Sequence, residues 1–166
     1  GVILDGRYRV LEHLADGGMA SVYLGLDTRL DRDVAIKVMR PDLAADETFV
    51  SRFRREARSA ARLAHPNVVA VFDVVEHEGA SWLVMEHIDG PTLSEAVRKR
   101  GAMSPQGAAD LGVQLAAALS AAHSVGLVHR EIDRRGGLQP LGRLQPVDAP
   151  GGSDLSKIAE IGRAHV

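Results

Sequence analysis

The stretch Val34-Ala35-Ile36-Lys37-Val38-Met39 is dominated by β-branched residues and holds no Gly or Pro, which predicts a β-strand. Strand side chains alternate between faces. Val34, Ile36 and Val38 then share one face, fit for a core, and Ala35 and Lys37 share the other. A very small residue followed two positions later by a long cation suits a flat ligand against Ala35 with its phosphates near Lys37. The same six residues also read as a plain strand carrying one solvated Lys, so the neighbouring segments have to decide.

Upstream, Arg7 to Leu14 alternates as a first strand, with Tyr8, Val10 and Glu12 on one side, and Ser21 to Leu26 forms a second. The turn between them, Leu14-Ala15-Asp16-Gly17-Gly18-Met19-Ala20-Ser21-Val22, is glycine-rich. Small residues at 15, 17, 18 and 20 let backbone N–H groups approach an anion closely. An ordinary hairpin turn would look much the same. Leu26 to Arg32 is a polar connection.

Downstream, Pro41 ends the central strand, and Asp46 followed by Glu47 reads as the start of a helix running to about Leu63. Phe49, Phe53, Ala57, Ala60 and Ala64 make its apolar stripe. Glu56 falls within about 20° of that stripe, since it lies seven positions after Phe49. An inward carboxylate needs a cation. Arg52 or Arg55 beside it could supply that cation locally, or Glu56 answers a cation elsewhere in the fold. Val68 to Val75 and Ser81 to Glu86 predict two more strands around a Gly79 turn.

Asp89-Gly90-Pro91 breaks the chain and reads as a hinge. Thr92-Leu93-Ser94-Glu95 is a capping box for a short helix to about Arg100. Ser104-Pro105 opens a second helix with apolar Leu111, Leu115, Leu119 and Ala122, closed by Gly126. The fold class is therefore α+β: a five-stranded antiparallel sheet with one helix, then helices.

Composition sets outer bounds. Of 166 residues, 45% are hydrophobic, enough for a core. The net charge of -2 gives no global field for nucleic acid or a membrane surface. The chain lacks Cys, which removes disulfides and thiolate metal sites, and its seven His show no ligand spacing on one helix face, so no metal site is expected. No apolar run is long enough to span a bilayer.

Taken together, Ala15-x-Gly17-x-x-Ala20-x-Val22, Val34-Ala35-Ile36-Lys37, Glu56 and Val128-His129-Arg130 resemble the motif series of a protein kinase. Gly-Gly-Met-Ala in the loop, His65-Pro66-Asn67 and Val84-Met85-Glu86-His87-Ile88-Asp89-Gly90 sharpen this to bacterial eukaryotic-like serine/threonine kinases, similar to the receptor group that carries extracellular PASTA repeats. The resemblance spans about residues 3–130. It implies a kinase N-lobe over 1–87 and a hinge with the first helices of an incomplete C-lobe over 88–130. It also implies roles. Leu14, Ala15, Asp16, Gly17, Gly18, Met19, Ala20 and Val22 would cover the phosphates of ATP. Lys37 would contact the α- and β-phosphates and be held by Glu56. Ala35 and Val22 would enclose the adenine, Met85 matches the gatekeeper, and Glu86 and Ile88 would present backbone groups to the adenine edge. The implied activity is transfer of phosphate from Mg-ATP to protein Ser or Thr in bacterial signalling. Cytoplasmic placement of the domain goes with it, the intact protein being anchored in the plasma membrane in the receptor group, and so does an N-lobe homodimer.

The match stops after Arg130. Where the family has its catalytic Asp, a Lys and a metal-binding Asn, this chain has Glu131, Asp133 and Gly136, and no Asp-Phe-Gly follows. Glu131 is a base one methylene too long, and the Mg2+ ligands are missing. Residues 131–166 hold six Gly, three Pro and no aromatic residue, which predicts a weakly ordered tail. Its end, Ile161-Gly162-Arg163-Ala164-His165-Val166, is what a common sequencing-adapter string would encode, so a frame error near codon 131 is one expected origin and a divergent natural tail the other. The expected function is a kinase fragment that is itself inactive. The rivals are a non-catalytic, pseudokinase-like nucleotide-binding scaffold and a small-molecule phosphotransferase of the same fold.

Overall fold

Register, more than strand content, fixes what the central strand presents. In the computed structural model, which describes residues 1–17, 20–91 and 93–127, the strand is β4, Arg32–Met39. It lies between β3, Ala20–Asp27, and β6, Ala80–Glu86, antiparallel to both. Outside these lie β2, Tyr8–Asp16, and β5, Val71–His77. A two-residue strand, β1, Ile3–Leu4, pairs with β2 at the edge, so the sheet has six strands in the order β1-β2-β3-β4-β6-β5. The sequence predicts five. Two residues are too short to show an alternating pattern, so the sixth leaves no periodic signal.

The alternation in β4 holds. Val34 and Ile36 are fully buried in a cluster with Leu4, Tyr8, Val75 and Val84, and Val10, Tyr23 and Trp82 pack against its rim. The opposite sheet face carries Ala35 and Lys37. Across from them stand Leu24 and Val22 on β3 and Met85 and Leu83 on β6. Gly25 comes directly beneath Ile36: a Cβ there would collide with Ile36 Cδ1 and lie 3.1 Å from the Arg9 carbonyl oxygen.

Helix α1 runs from Glu47 to Ala60, capped by Asp46, whose carboxylate accepts the Thr48 N–H at 2.8 Å. It lies against the β5–β6 hairpin. Arg54 donates from Nε to Ser81 Oγ at 3.0 Å and pairs through Nη2 with Glu76 at 3.2 Å. Ser81 lies two and four positions before Leu83 and Met85 and shares their face, so α1 rests on the Lys37 face of the sheet, at its hairpin end.

These elements form one compact unit, residues 1–62 and 70–87. The second comprises residues 63–69 with the described part of the chain from Ile88 onward. It contains α2, Leu93–Arg100, and α3, Pro105–Ser124. Ala96 and Leu111 form its buried centre, flanked by Leu93, Met103 and Leu115. Ser104 caps α3 by accepting the Gly107 N–H at 3.0 Å, with Pro105 in the first turn. Gly126 takes φ +79° just past the helix end, which a residue with a Cβ reaches only under strain. Asn67 Nδ2 donates to Gln114 Oε1 at 3.0 Å, which ties the 63–69 segment to α3. Thr92, the expected cap of α2, and the tail beyond Leu127 lie outside the described residues.

Candidate functional site

Two adjacent rungs of the sheet bring four of the expected site residues together, Val22, Ala35, Lys37 and Met85. On one, Ala35 stands between Leu24 and Met85; on the next, Lys37 stands between Val22 and Leu83. Val22, Ala35 and Met85 are buried, and Lys37 is half-buried. An apolar patch lowered at its centre by the missing bulk of Ala35 thus borders a cation one rung, about 7 Å, along the strand. This is the placement that alternation in the strand predicts.

The loop above the patch is braced by its own polar groups. The Gly17 N–H donates to the Ala20 carbonyl at 2.7 Å. Asp16 accepts from Ser21 Oγ at 2.6 Å and lies 2.9 Å from His13 Nε2. These two partners, Ser21 first, hold the Asp16 carboxyl below its ordinary range. Leu14 and Ala15 lead into this loop at the end of β2; Gly18 and Met19, at its tip, lie outside the described residues. At the far end of the patch the Glu86 N–H is held by the Ala70 carbonyl at 2.8 Å, and Glu86 Oε2 accepts the Ala70 N–H at 3.3 Å. Ile88 belongs to the second unit.

Glu56 departs from the inward placement that its sequence position predicts. It is exposed, and none of the ion pairs among the described residues joins it to Lys37, Arg52 or Arg55. The rotation of α1 explains this. The helix meets the hairpin through Arg54, and Ala57 is its buried residue. With about 100° per residue, Glu56 lies about 100° from Ala57 and about 160° from Arg54. The aromatic stripe of Phe49 and Phe53 is only half-buried, so the two Phe side chains do not set the helix rotation as the periodicity suggests.

A polar centre in the same unit escapes the sequence reading. Asp27, at the start of what reads as a surface connection, has a side chain with 0% exposure. It receives both prongs of Arg7, Nε at 2.9 Å and Nη2 at 2.7 Å, and the backbone N–H groups of Arg29 and Leu30. The Arg7 contact outweighs burial and brings the Asp27 pKa to about 2. Arg32 adds a second cation at 3.7 Å and lays its guanidinium 3.8 Å from the centre of the Phe72 ring. Tyr8, beside Arg7, donates its hydroxyl to Asp73 at 2.9 Å; burial first, and Asp73 second, push its pKa up to about 12. The sole sequence hint is that Asp at a strand end often holds the backbone of the turn that follows.

Glu131, His129 and Arg130 lie outside the described residues. Among the described residues no group of three or more His, Asp or Glu side chains is placed to hold a metal ion. None of the described helices is long and apolar enough to cross a membrane.

The register of Lys37 and Ala35 meets a direct comparison: the family model of the protein kinase domain matches residues 8–134. The chain belongs to the protein kinase domain family. Its relatives include the serine/threonine-protein kinase PrkC of Bacillus subtilis, 44% identical over 129 residues, and PknB of Mycobacterium leprae, 45% identical over 133 residues. Each alignment covers 78% of this chain, but 20% of PrkC and 21% of PknB. The chain therefore spans about a fifth of the length of these relatives. Among solved structures, the kinase domain of Mycobacterium tuberculosis PknI superposes with a TM-score of 0.66 at 37% identity, covering 80% of this chain and 54% of that one. Rad53 in complex with AMP-PNP shares the fold, with a TM-score of 0.66 at 22% identity. The bacterial serine/threonine kinase resemblance and the α+β class both stand, with the described part of the C-lobe helical.

Proposed function

We propose that this chain is the nucleotide-binding part of a bacterial serine/threonine protein kinase and that it binds ATP on the Lys37 face of its sheet. One observation supports this above the rest: Ala35 lies level with Met85, and Lys37, on the same face, level with Val22. The missing side-chain bulk at Ala35 makes room for a planar base, Val22 closes over it, and Met85 limits its depth. The Glu86 N–H already serves Ala70, so on this unit contact to the adenine edge falls to the Glu86 carbonyl, which has two lone pairs. The backbone of Leu14 to Gly17 and of Ala20 faces the phosphates, and Lys37 supplies a charge-assisted hydrogen bond to them. Pairing of Lys37 with Glu56 requires α1 to turn by about 100° from the rotation described.

Glu131 and Gly136, at the positions of the family's base and metal-binding Asn, favour a chain that binds nucleotide without transferring phosphate. The intact kinase would use ATP, Mg2+ and protein Ser or Thr substrates.

Calorimetric titration with ATP tests the site. Binding is expected to weaken about 10- to 100-fold in Lys37→Met, the worth of one charge-assisted contact. Replacing Ala35 by Leu should abolish binding by filling the space of the base while leaving the thermal midpoint within a few degrees. Unchanged affinity in Lys37→Met would place the nucleotide elsewhere.

A further inference from the structure

Helix α1 uses its arginines unequally. Arg54 is committed to Ser81 and Glu76, and Arg52 lies over the Phe49 ring, 5.9 Å from its centre. None of the ion pairs among the described residues involves Arg55, Arg58 or Arg62. Their spacing of three and then four positions puts them in one stripe about 60° wide and about 10 Å long, continued just past the end of α1 by Arg62.

That stripe is the wall of a groove. A concavity of about 850 Å3 runs beside α1, lined by Arg54, Arg55, Arg58 and Arg62 and reaching the β5–β6 turn at Gly79. Thr48, Ser51 and Ser59 add hydroxyl groups along the same wall. Glu47, at the N-terminal end of α1, is the one acidic residue among the described lining residues. With Arg54 answered by Glu76, the guanidinium groups of Arg55, Arg58 and Arg62 line one wall without an ion pair among the described residues, and like charges so placed repel one another unless an anion enters. Guanidinium groups bind phosphate oxygens in pairs, and hydroxyls fill the remaining acceptor positions.

We infer that this groove is a docking site for a peptide segment bearing phosphoserine or phosphothreonine. Three observations select that occupant. The volume lies within the range of sites for compact ligands, about 300–1,000 Å3, and is too small for a duplex. The cations are all Arg, whose planar fork selects a discrete phosphate, whereas a diffuse anionic surface is served equally by Lys. The chain's net charge of -2 provides no long-range attraction for nucleic acid or membrane, so binding has to come from the local fork contacts. The groove is remote in composition from the Lys37 patch, sharing no residue with it, and the inference does not depend on ATP binding or phosphoryl transfer.

The test is fluorescence anisotropy of the full 166-residue chain with a labelled peptide of neutral residues around one phosphoserine, beside its unphosphorylated twin. The phosphopeptide should bind at least about tenfold more tightly than the twin, and Arg55→Glu with Arg58→Glu should cost about tenfold or more. Arg52→Glu makes the same change of charge per site on the same helix outside the groove, and should cost less than about threefold. Arg58→Lys, which keeps the charge and loses the fork, should fall between. Far-UV circular dichroism and the thermal midpoint confirm that each variant is folded, and Lys37→Met should bind the phosphopeptide as the parent does. Equal binding of the two peptides overturns the inference, as does a loss in Arg52→Glu equal to that in the double variant. Tight binding of phosphatidylserine vesicles or of a short DNA duplex, with no preference between the peptides, overturns it in favour of those partners.

Discussion

Asp27 is the most consequential single residue outside the Lys37 patch. A carboxylate withdrawn from water is stabilising only when its charge and lone pairs are all answered. Arg7 answers two of them in a fork, and two backbone N–H groups hold the turn at Arg29 and Leu30. Replacing Asp27 by Asn keeps the size and removes the charge, and should cost ~3 kcal/mol at neutral pH, the low end for breaking a buried pair because Arg7 retains some contact with water. The pH dependence follows from the folded-state pKa of about 2 against an ordinary value of 3.8. A depressed carboxyl pKa means that the unfolded chain takes up the proton first. The contribution is intact above about pH 4 and is lost as the pH falls toward about 2. Urea unfolding of the parent and of Asp27→Asn across this window should show the difference between them shrinking with acid. A difference that stays constant from neutral to acid pH would show that the carboxylate's charge is not what stabilises the turn.

At the level of elements, β4 was legible because its signal is local: a two-residue period written in β-branched side chains. The same holds for Asp46 and Ser104, whose caps are formed within three residues of themselves. What escaped notice depends on partners distant in sequence. Asp27 is buried by Arg7, 20 positions away, and the Tyr8 hydroxyl meets Asp73, 65 positions away. The helix's own apolar stripe places Glu56 inward, yet α1 takes its rotation from the contacts of Arg54 with Ser81 and Glu76, which no helical period encodes. Gly25 belongs with these long-range features, since Ile36 on the neighbouring strand occupies the space of its absent side chain. Gly25→Ala should destabilise the sheet by about 1–3 kcal/mol through forced displacement of Ile36. Ile36→Val removes the nearest colliding atom and costs about 1 kcal/mol alone. Combined with Gly25→Ala, it should cost less than it does alone, a coupling that a double-mutant cycle from denaturant unfolding measures directly. Strict additivity would mean that the backbone at Gly25 shifts and leaves Ile36 undisturbed.

At the level of the whole molecule, the chain joins part of a protein kinase domain, matched over residues 8–134, to a Gly- and Pro-containing stretch that the family model does not cover. The family's reaction needs Mg2+, a residue that orients the acceptor hydroxyl and a cation on the moving phosphoryl group, all at once. In the proposed site Lys37 would contact the α- and β-phosphates, which supplies none of these parts. Binding that is equally strong in the ground and transition states leaves the chemical rate unchanged, so ATP held at the proposed site would not thereby be activated. Groups that act as a unit do not fail by modest factors; loss of several together is expected to leave turnover at background. The purified 166-residue chain, given labelled ATP, Mg2+ and a generic protein substrate, should incorporate no phosphate above the Lys37→Met control. A version in which the family's Asp, Lys and Asn replace Glu131, Asp133 and Gly136, followed by a complete C-lobe, should label itself and the substrate. Labelling of the short chain to near one phosphate per molecule, dependent on Lys37, would refute the inactive reading and make Glu131 and Asp133 the first residues to replace in search of a base.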